Sequence, residues 1–283
     1  GMTYSFESPK VFDKLRIPAD SKLRETVEIM NPLGEDYSVM RTTSLNGMLT
    51  SLATNYNRRN KNVRLYELGN IYLPKQLPIT ELPEERMQFT LGMYGEGDFF
   101  SMKGCRVEEF FEKIGMNEKE TYDPNAGKPF LHPGRQANIL YDGTVVGYLG
   151  EVHPAVAENY GIGGRAYVAV LDMPEIIVRA TFDRKYTGIA KFPAVTRDIS
   201  MVVPKEILVG QIEEMIEQRG GSILESYHLF DLYEGAQIKE GHKSVAYSIV
   251  FRAKDRTLED ADVTKAMKKI LNGLESMGIE LRQ

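Results

Sequence analysis

Apolar positions change their period along this chain, and each change marks an element. Beyond residue 190, DISMVV (198–203) alternates polar and apolar over a strand length. GQIEEMIEQRGG (210–221) then sets Ile212, Met215 and Ile216 on one helical face before the Gly220–Gly221 pair, which suits a helix C-terminus. ILESYHLFDLYEG and KSVAYSIVFRA are β-rich and flank the polar turn region EGAQIKEGHK, so they predict a long hairpin. Thr257 and Asp260 have the spacing of a capping box that opens a last helix through about Met277, and GIELR closes with a short strand. The order β-α-β-β-α-β is that of a ferredoxin-like sandwich.

The preceding part is more mixed. TYSF, VEIM, VRLYELGNIYL, MQFTLGMYG, QANILYDGTVVGYLGEV and AYVAVLDM read as strands. Residues 44–59, 101–115 and 153–161 read as helices. Strands outnumber helices and adjoin through short turns such as Asp142–Gly143, which predicts a mostly antiparallel sheet with helices packed on it, an α+β domain. DMPEIIVRATFDRKYTGIAKFP reads as a strand ending, a polar crossing and a new strand. It places a boundary between domains 1–185 and 186–283. No internal repeat or low-complexity tract is evident.

At 283 residues, 42% hydrophobic and 27% charged, the chain has the composition of a globular protein and the length of one large domain or two ordinary ones. No apolar run approaches the roughly 20 residues needed to span a bilayer, and no basic-then-apolar leader opens it. Gly1–Met2 reads as a tag scar before a start codon, which suggests a piece of something longer. The single cysteine, Cys105, rules out an internal disulfide, fits a reducing cytoplasm and is expected to be buried. His132 has no carboxylate or thiol at metal spacing and belongs to a loop held by Pro133 and Gly134, while His153 precedes Pro154 at a helix start. His242 sits in a turn. No phosphate-binding glycine loop occurs, and YGIGGR (160–165) follows a helix as a turn.

Net charge is −5, with 13 Lys/Arg against 15 Asp/Glu from residue 186 onward. A generic polyanion binder should be basic, so any RNA contact must be local. In a 4-1-3-2 ferredoxin-like sheet the start of the first strand lies beside the end of the third. Lys191 and Arg197 fall at the first place, and Arg252, Lys254 and Arg256 at the second. These five cations are expected to converge on one end of the sheet as a basic rim. Ser200, His228, Phe230 and Ser248 are candidates for the open sheet face, where unstacked bases are read by aromatic stacking and edge hydrogen bonds. The ordinary alternative puts Phe230 in the core and pairs Arg197 with Asp198 or Asp231.

KFPAVTRDISMVV (191–203), ESYHLFDLYEG (225–235) and GHKSVAYSIVFRAKDRTLEDADV (241–263) together resemble the ferredoxin-like anticodon-binding module that closes bacterial phenylalanyl-tRNA synthetase β subunits. Residues 30–74, 98–115, 129–154 and 168–173 resemble the synthetase-like domain of the same family, so the resemblance covers nearly the whole chain. It implies a C-terminal fragment whose first domain has the class II synthetase core fold without catalytic residues. Arg64 and Glu67 lack the Arg-x-Glu spacing of a catalytic core, and Arg165 enters a strand rather than a helix. The resemblance further implies packing against a catalytic α subunit in an α2β2 assembly, with ATP and magnesium bound only there and no cofactor here. Expected partners are phenylalanine tRNA and the α subunit, with no membrane and no DNA, in the cytoplasm. Leu45, Met48, Leu49 and Leu52 could face that partner subunit or their own sheet. Two rival readings remain: a class II enzyme in its own right, and a ferredoxin-like assembly module with no RNA role.

Overall fold

A six-stranded antiparallel sheet organises the first of two units, Gly1–Lys185 and Tyr186–Gln283. The computed structural model describes residues 1–116, 120–183, 188–235 and 238–282, and the Cys105 side chain lies outside what is described. The first unit opens with β1 (Phe6–Glu7), α1 (Val11–Lys14), β2 (Val39–Met40) and α2 (Leu45–Asn57). After these come β3 (Val63–Leu73), β4 (Glu84–Tyr94), α3 (Phe99–Met102), a π-helical turn at Lys103–Glu108 and α4 (Glu109–Lys113). It closes with β5 (Thr121–Asp123), β6 (Leu131–Tyr141), β7 (Thr144–Val152), α5 (Pro154–Asn159), β8 (Ala166–Asp172) and α6 (Met173–Ile177). The large sheet runs β3-β4-β8-β7-β6-β5, every neighbouring pair antiparallel.

Both faces of this sheet are covered, so β8 is buried along almost its whole length. Its Val168 and Val170 pack with α2, while Tyr167, Ala169 and Leu171 join Met102, Val107 and Phe111 on the opposite face. Leu45, Met48, Leu49 and Leu52 recur at helical spacing and are each no more than 2% exposed, pressed against their own sheet. That corrects the expectation that they could face a partner subunit. Gly92 in β4 shows how close the packing is, since a Cβ there would stand 2.6 Å from Met48 Sδ. Under the same helix, the buried Arg41 guanidinium meets Glu67 Oε1 at 3.1 Å, and Thr3 also donates to that carboxylate.

The structure departs from the sequence expectations at TYSF, VEIM and DMPEII, for local reasons. TYSF yields only Phe6–Glu7 as strand, and VEIM contributes a lone bridge, Glu28 to Val39, with Met30 fully exposed. The stretch 101–115 is helical but is broken by the π-helical turn. DMPEII is a helix rather than a strand end, with Pro174 in the first turn, where its missing N–H does no harm.

The second unit runs β9 (Val195–Pro204), α7 (Val209–Gly220), β10 (Leu224–Tyr233), β11 (His242–Phe251), α8 (Asp260–Ser276) and β12 (Glu280–Leu281). Its antiparallel sheet is ordered β10-β11-β9-β12. α7 ends at Gly221, whose φ of 70° needs a residue without Cβ strain. α8 starts two residues later than the Thr257–Asp260 spacing suggests, with Glu259 rather than Thr257 as its N-cap. Asp262 accepts the Glu259 backbone N–H at 3.1 Å, so the capping pair is Glu259–Asp262. Ile212 and Ile216 of α7 and Val263, Ala266, Ile270 and Leu274 of α8 pack on one sheet face, against Ile199, Met201, Val203, Val245, Tyr247, Ile249 and Phe251.

Candidate nucleic-acid interface

Strand alternation assigns the two faces of the second sheet. Ile199, Met201 and Val203 of β9 and Val245, Tyr247, Ile249 and Phe251 of β11 are buried under both helices, so even-numbered residues of these strands face away from them, while the odd-numbered Arg197 lies exposed on the helix side beside Asp260. Among the described residues no helix of this unit packs on that second face. Ser248 stands between His228 on β10 and Asp198 on β9. One pair further along, Ala246 stands between Asp231 and Ser200. Ser200, His228 and Ser248 therefore share the open face, with hydroxyl and imidazole groups spaced across three strands. Phe230 lies at the register shift between Leu229 and Asp231, where one extra residue bulges from β10, and the residue is 53% exposed.

Asp198 and Asp231, which in sequence are only candidate partners for Arg197, lie on the same face. The two-residue strand period would have located both. They give the face acceptors as well as donors, which suits base edges better than phosphates.

The five cations lie about one end of this sheet. Val195 pairs with Phe251, so Lys191 and Arg197 flank the start of β9 while Arg252, Lys254 and Arg256 follow the end of β11. Arg252 donates to the Phe192 carbonyl, tying the two segments together. Three of the five are neutralised. Arg197 reaches Asp260 at 3.3 Å, Arg252 reaches Glu225 at 2.8 Å, and Arg256 binds Asp262 with a second contact of 3.1 Å. Arg197 thus pairs with neither Asp198 nor Asp231. The Arg256 guanidinium, then the Glu259 N–H, holds the Asp262 carboxyl down to about 2. Lys191 and Lys254 make no ion pair among the described residues. The end of the sheet is a set of charge pairs with two free lysines rather than a uniformly basic rim.

Elsewhere the remaining histidines are structural. His132 Nδ1 accepts the Gly134 N–H at 3.1 Å, and His153 Nδ1 accepts that of Ala155 at 3.1 Å as the cap of α5. His242 Nδ1 lies 3.0 Å from the Glu240 carbonyl. Among the described residues no cluster of His, Cys, Asp or Glu is arranged to hold a metal. Arg64 is exposed on β3, whereas Glu67, three residues on, is buried against Arg41, so the two point to opposite faces and cannot hold one ligand together. No helix among the described residues is long and apolar enough to cross a membrane.

Residues 1–173 match the model of the phenylalanyl-tRNA synthetase β chain CLM domain, and residues 190–282 match that of the ferredoxin-fold anticodon-binding domain. The chain is 48% identical over 99% of its length to the phenylalanine–tRNA ligase β subunit of Clostridium acetobutylicum, covering 35% of that protein. It is 38% identical to the β subunit of Moorella thermoacetica over 100% of its length and 35% identical to that of Bacillus subtilis over 97%, covering 36% and 34% of those proteins. It thus spans about a third of the length of the relatives it matches. On the two domain matches, taken with the ferredoxin-like sheet of the second unit, the chain belongs to the phenylalanyl-tRNA synthetase β-chain family.

Proposed function

We propose that the second unit binds the anticodon of phenylalanine tRNA on its open sheet face, as the tRNA-binding part of a cytoplasmic phenylalanine–tRNA ligase. One observation carries this reading. The anticodon-binding family model falls on a sheet whose helix-free face presents Ser200, His228 and Ser248 beside the exposed Phe230 ring. Hydroxyls and imidazole can read base edges, and an exposed ring can stack a splayed base. Arg197, 46% exposed despite its contact to Asp260, is within reach of the backbone at the same end of the sheet.

The first unit we read as a class II synthetase-like scaffold that does no chemistry itself and packs on a catalytic α subunit, where ATP and magnesium would bind. The separation of Arg64 from Glu67 onto opposite faces supports the non-catalytic part of this reading. The mechanism is placement: holding the anticodon fixes where the acceptor end lies, and orientation alone can carry large rate factors. Titration with anticodon stem-loops tests it. The chain should prefer the phenylalanine anticodon to a swapped one, and Arg197→Ala should weaken binding about tenfold. Equal affinity for both stem-loops would remove anticodon reading and favour an assembly role for the sheet.

A further inference from the structure

The first unit carries a cavity of about 650 Å3 at the C-terminal end of α2, bounded by Tyr56, Arg59, Lys61, Tyr94, Arg165 and Tyr167 among others. Its charge is unusual for this acidic chain. Arg59, Lys61 and Arg165 line it, and the stretch from Tyr37 to Tyr66 that supplies the first two holds no carboxylate. Arg59 and Lys61 make no ion pair among the described residues. Arg165, across the cavity, is 67% exposed and lies 3.9 Å from Glu151, a carboxylate that Arg135 already holds at 3.0 Å. Asp98, the one acid among the described residues that line the cavity, accepts from the N–H and hydroxyl of Ser101 at 2.8 and 2.9 Å.

The backbone adds a second observation. The Arg59 N–H bonds the Tyr56 carbonyl at 2.8 Å and the Asn60 N–H bonds that of Asn55 at 3.2 Å, the paired closure of a helix that ordinarily places glycine in the left-handed position. Here that position is Arg59, with φ of 61°. A side chain held in a disfavoured conformation calls for a reason, and such strain gathers at ligand sites. A cation complementing the helix dipole is not that reason, because Arg58 already supplies one from an unstrained backbone with φ of −82°. Tyr56 and Tyr94 meet edge to face at 5.6 Å and form an aromatic wall beneath these charges.

We propose that this cavity is a second RNA site, in which Arg59, Lys61 and Arg165 hold phosphodiester oxygens while the tyrosine wall supports a base or ribose. The choice of RNA rests on the RNA-binding reading of the second unit. A free nucleotide triphosphate suits it less well. The glycines that line it, Gly95, Gly97 and Gly164, come from two loops, neither with the spacing of a phosphate-binding loop, and the nearby start of α3 is already capped by Asp98. Separate cations over an aromatic surface instead match the way single-stranded backbones are tracked.

Arg59→Gly makes the test clean, since glycine is the residue this backbone favours and the variant should melt no lower than the wild type. The full chain, this variant and the triple variant Arg59→Gly/Lys61→Gln/Arg165→Gln are titrated with phenylalanine tRNA, an anticodon-swapped tRNA and inorganic phosphate between about 50 and about 200 mM salt. The triple variant should bind both tRNAs about tenfold more weakly, by the same factor for each. Its log K against log salt slope should be shallower by about 2–3. Unchanged affinity and slope, or no tRNA binding by the wild type, would overturn the proposal. So would phosphate binding that the substitutions abolish while tRNA affinity stays. If the wild type fails to discriminate anticodons yet the triple variant still weakens both tRNAs, the anticodon reading fails and this site stands.

Discussion

Glu7 shows at the scale of one residue what the sequence could not reveal. In FES (6–8) it looks like any surface glutamate, yet it is 4% exposed and its Oε1 has no hydrogen-bond partner among the described residues. Burial pushes its carboxyl up to about 7, although the Asn46 amide and the Arg41 charge pull the other way. The folded state therefore holds a proton that the unfolded chain has lost, and stability falls as pH rises from about 4.5 to about 7. Glu7→Gln should be near neutral at about pH 5 and more stable than wild type above neutrality, by up to about 3 kcal/mol. Melting temperatures across that range check it, and a difference that does not change with pH would contradict it. The cations of the second unit teach the same lesson. Their gathering at one end of the sheet follows from strand order and was legible. Their partners Asp260, Glu225 and Asp262 were not, because each lies many positions away or on a turn whose path is set by packing.

At the scale of elements, legibility tracked how much of an element its own pattern buries. The alternation of DISMVV and KSVAYSIVF gave β9 and β11, whose odd positions are core. The rim segments TYSF and VEIM had strand-like composition but bury little, so their pairing is slight. α2 was legible as an amphipathic helix, while which surface it covers was decided only by Gly92 and the small side chains of β8 opposite it. Close backbone approach recurs at Gly147 in β7, where a Cβ would lie 2.4 Å from the Val170 carbonyl oxygen of β8. The neighbour there is backbone and cannot swing aside. Gly147→Ala should destabilise the first unit by about 1–3 kcal/mol, read by chemical denaturation. An unchanged midpoint would mean that β7 and β8 lie further apart than described.

At the scale of the molecule, the two units, Gly1–Lys185 and Tyr186–Gln283, own separate cores. Expressed separately, residues 1–185 and 186–283 should each melt in a cooperative transition, whereas a molten second piece would show that its fold depends on the first. In the function proposed above, the open face of the second sheet meets the anticodon. Phenylalanine tRNA carrying a photoreactive base in the anticodon loop, bound to the chain and irradiated, tests it most directly. Peptide mapping should place the crosslinks on strands β9, β10 and β11, around Ser200, His228, Phe230 and Ser248. Anticodon crosslinks confined to residues 1–185, or spread evenly over both units, would contradict it.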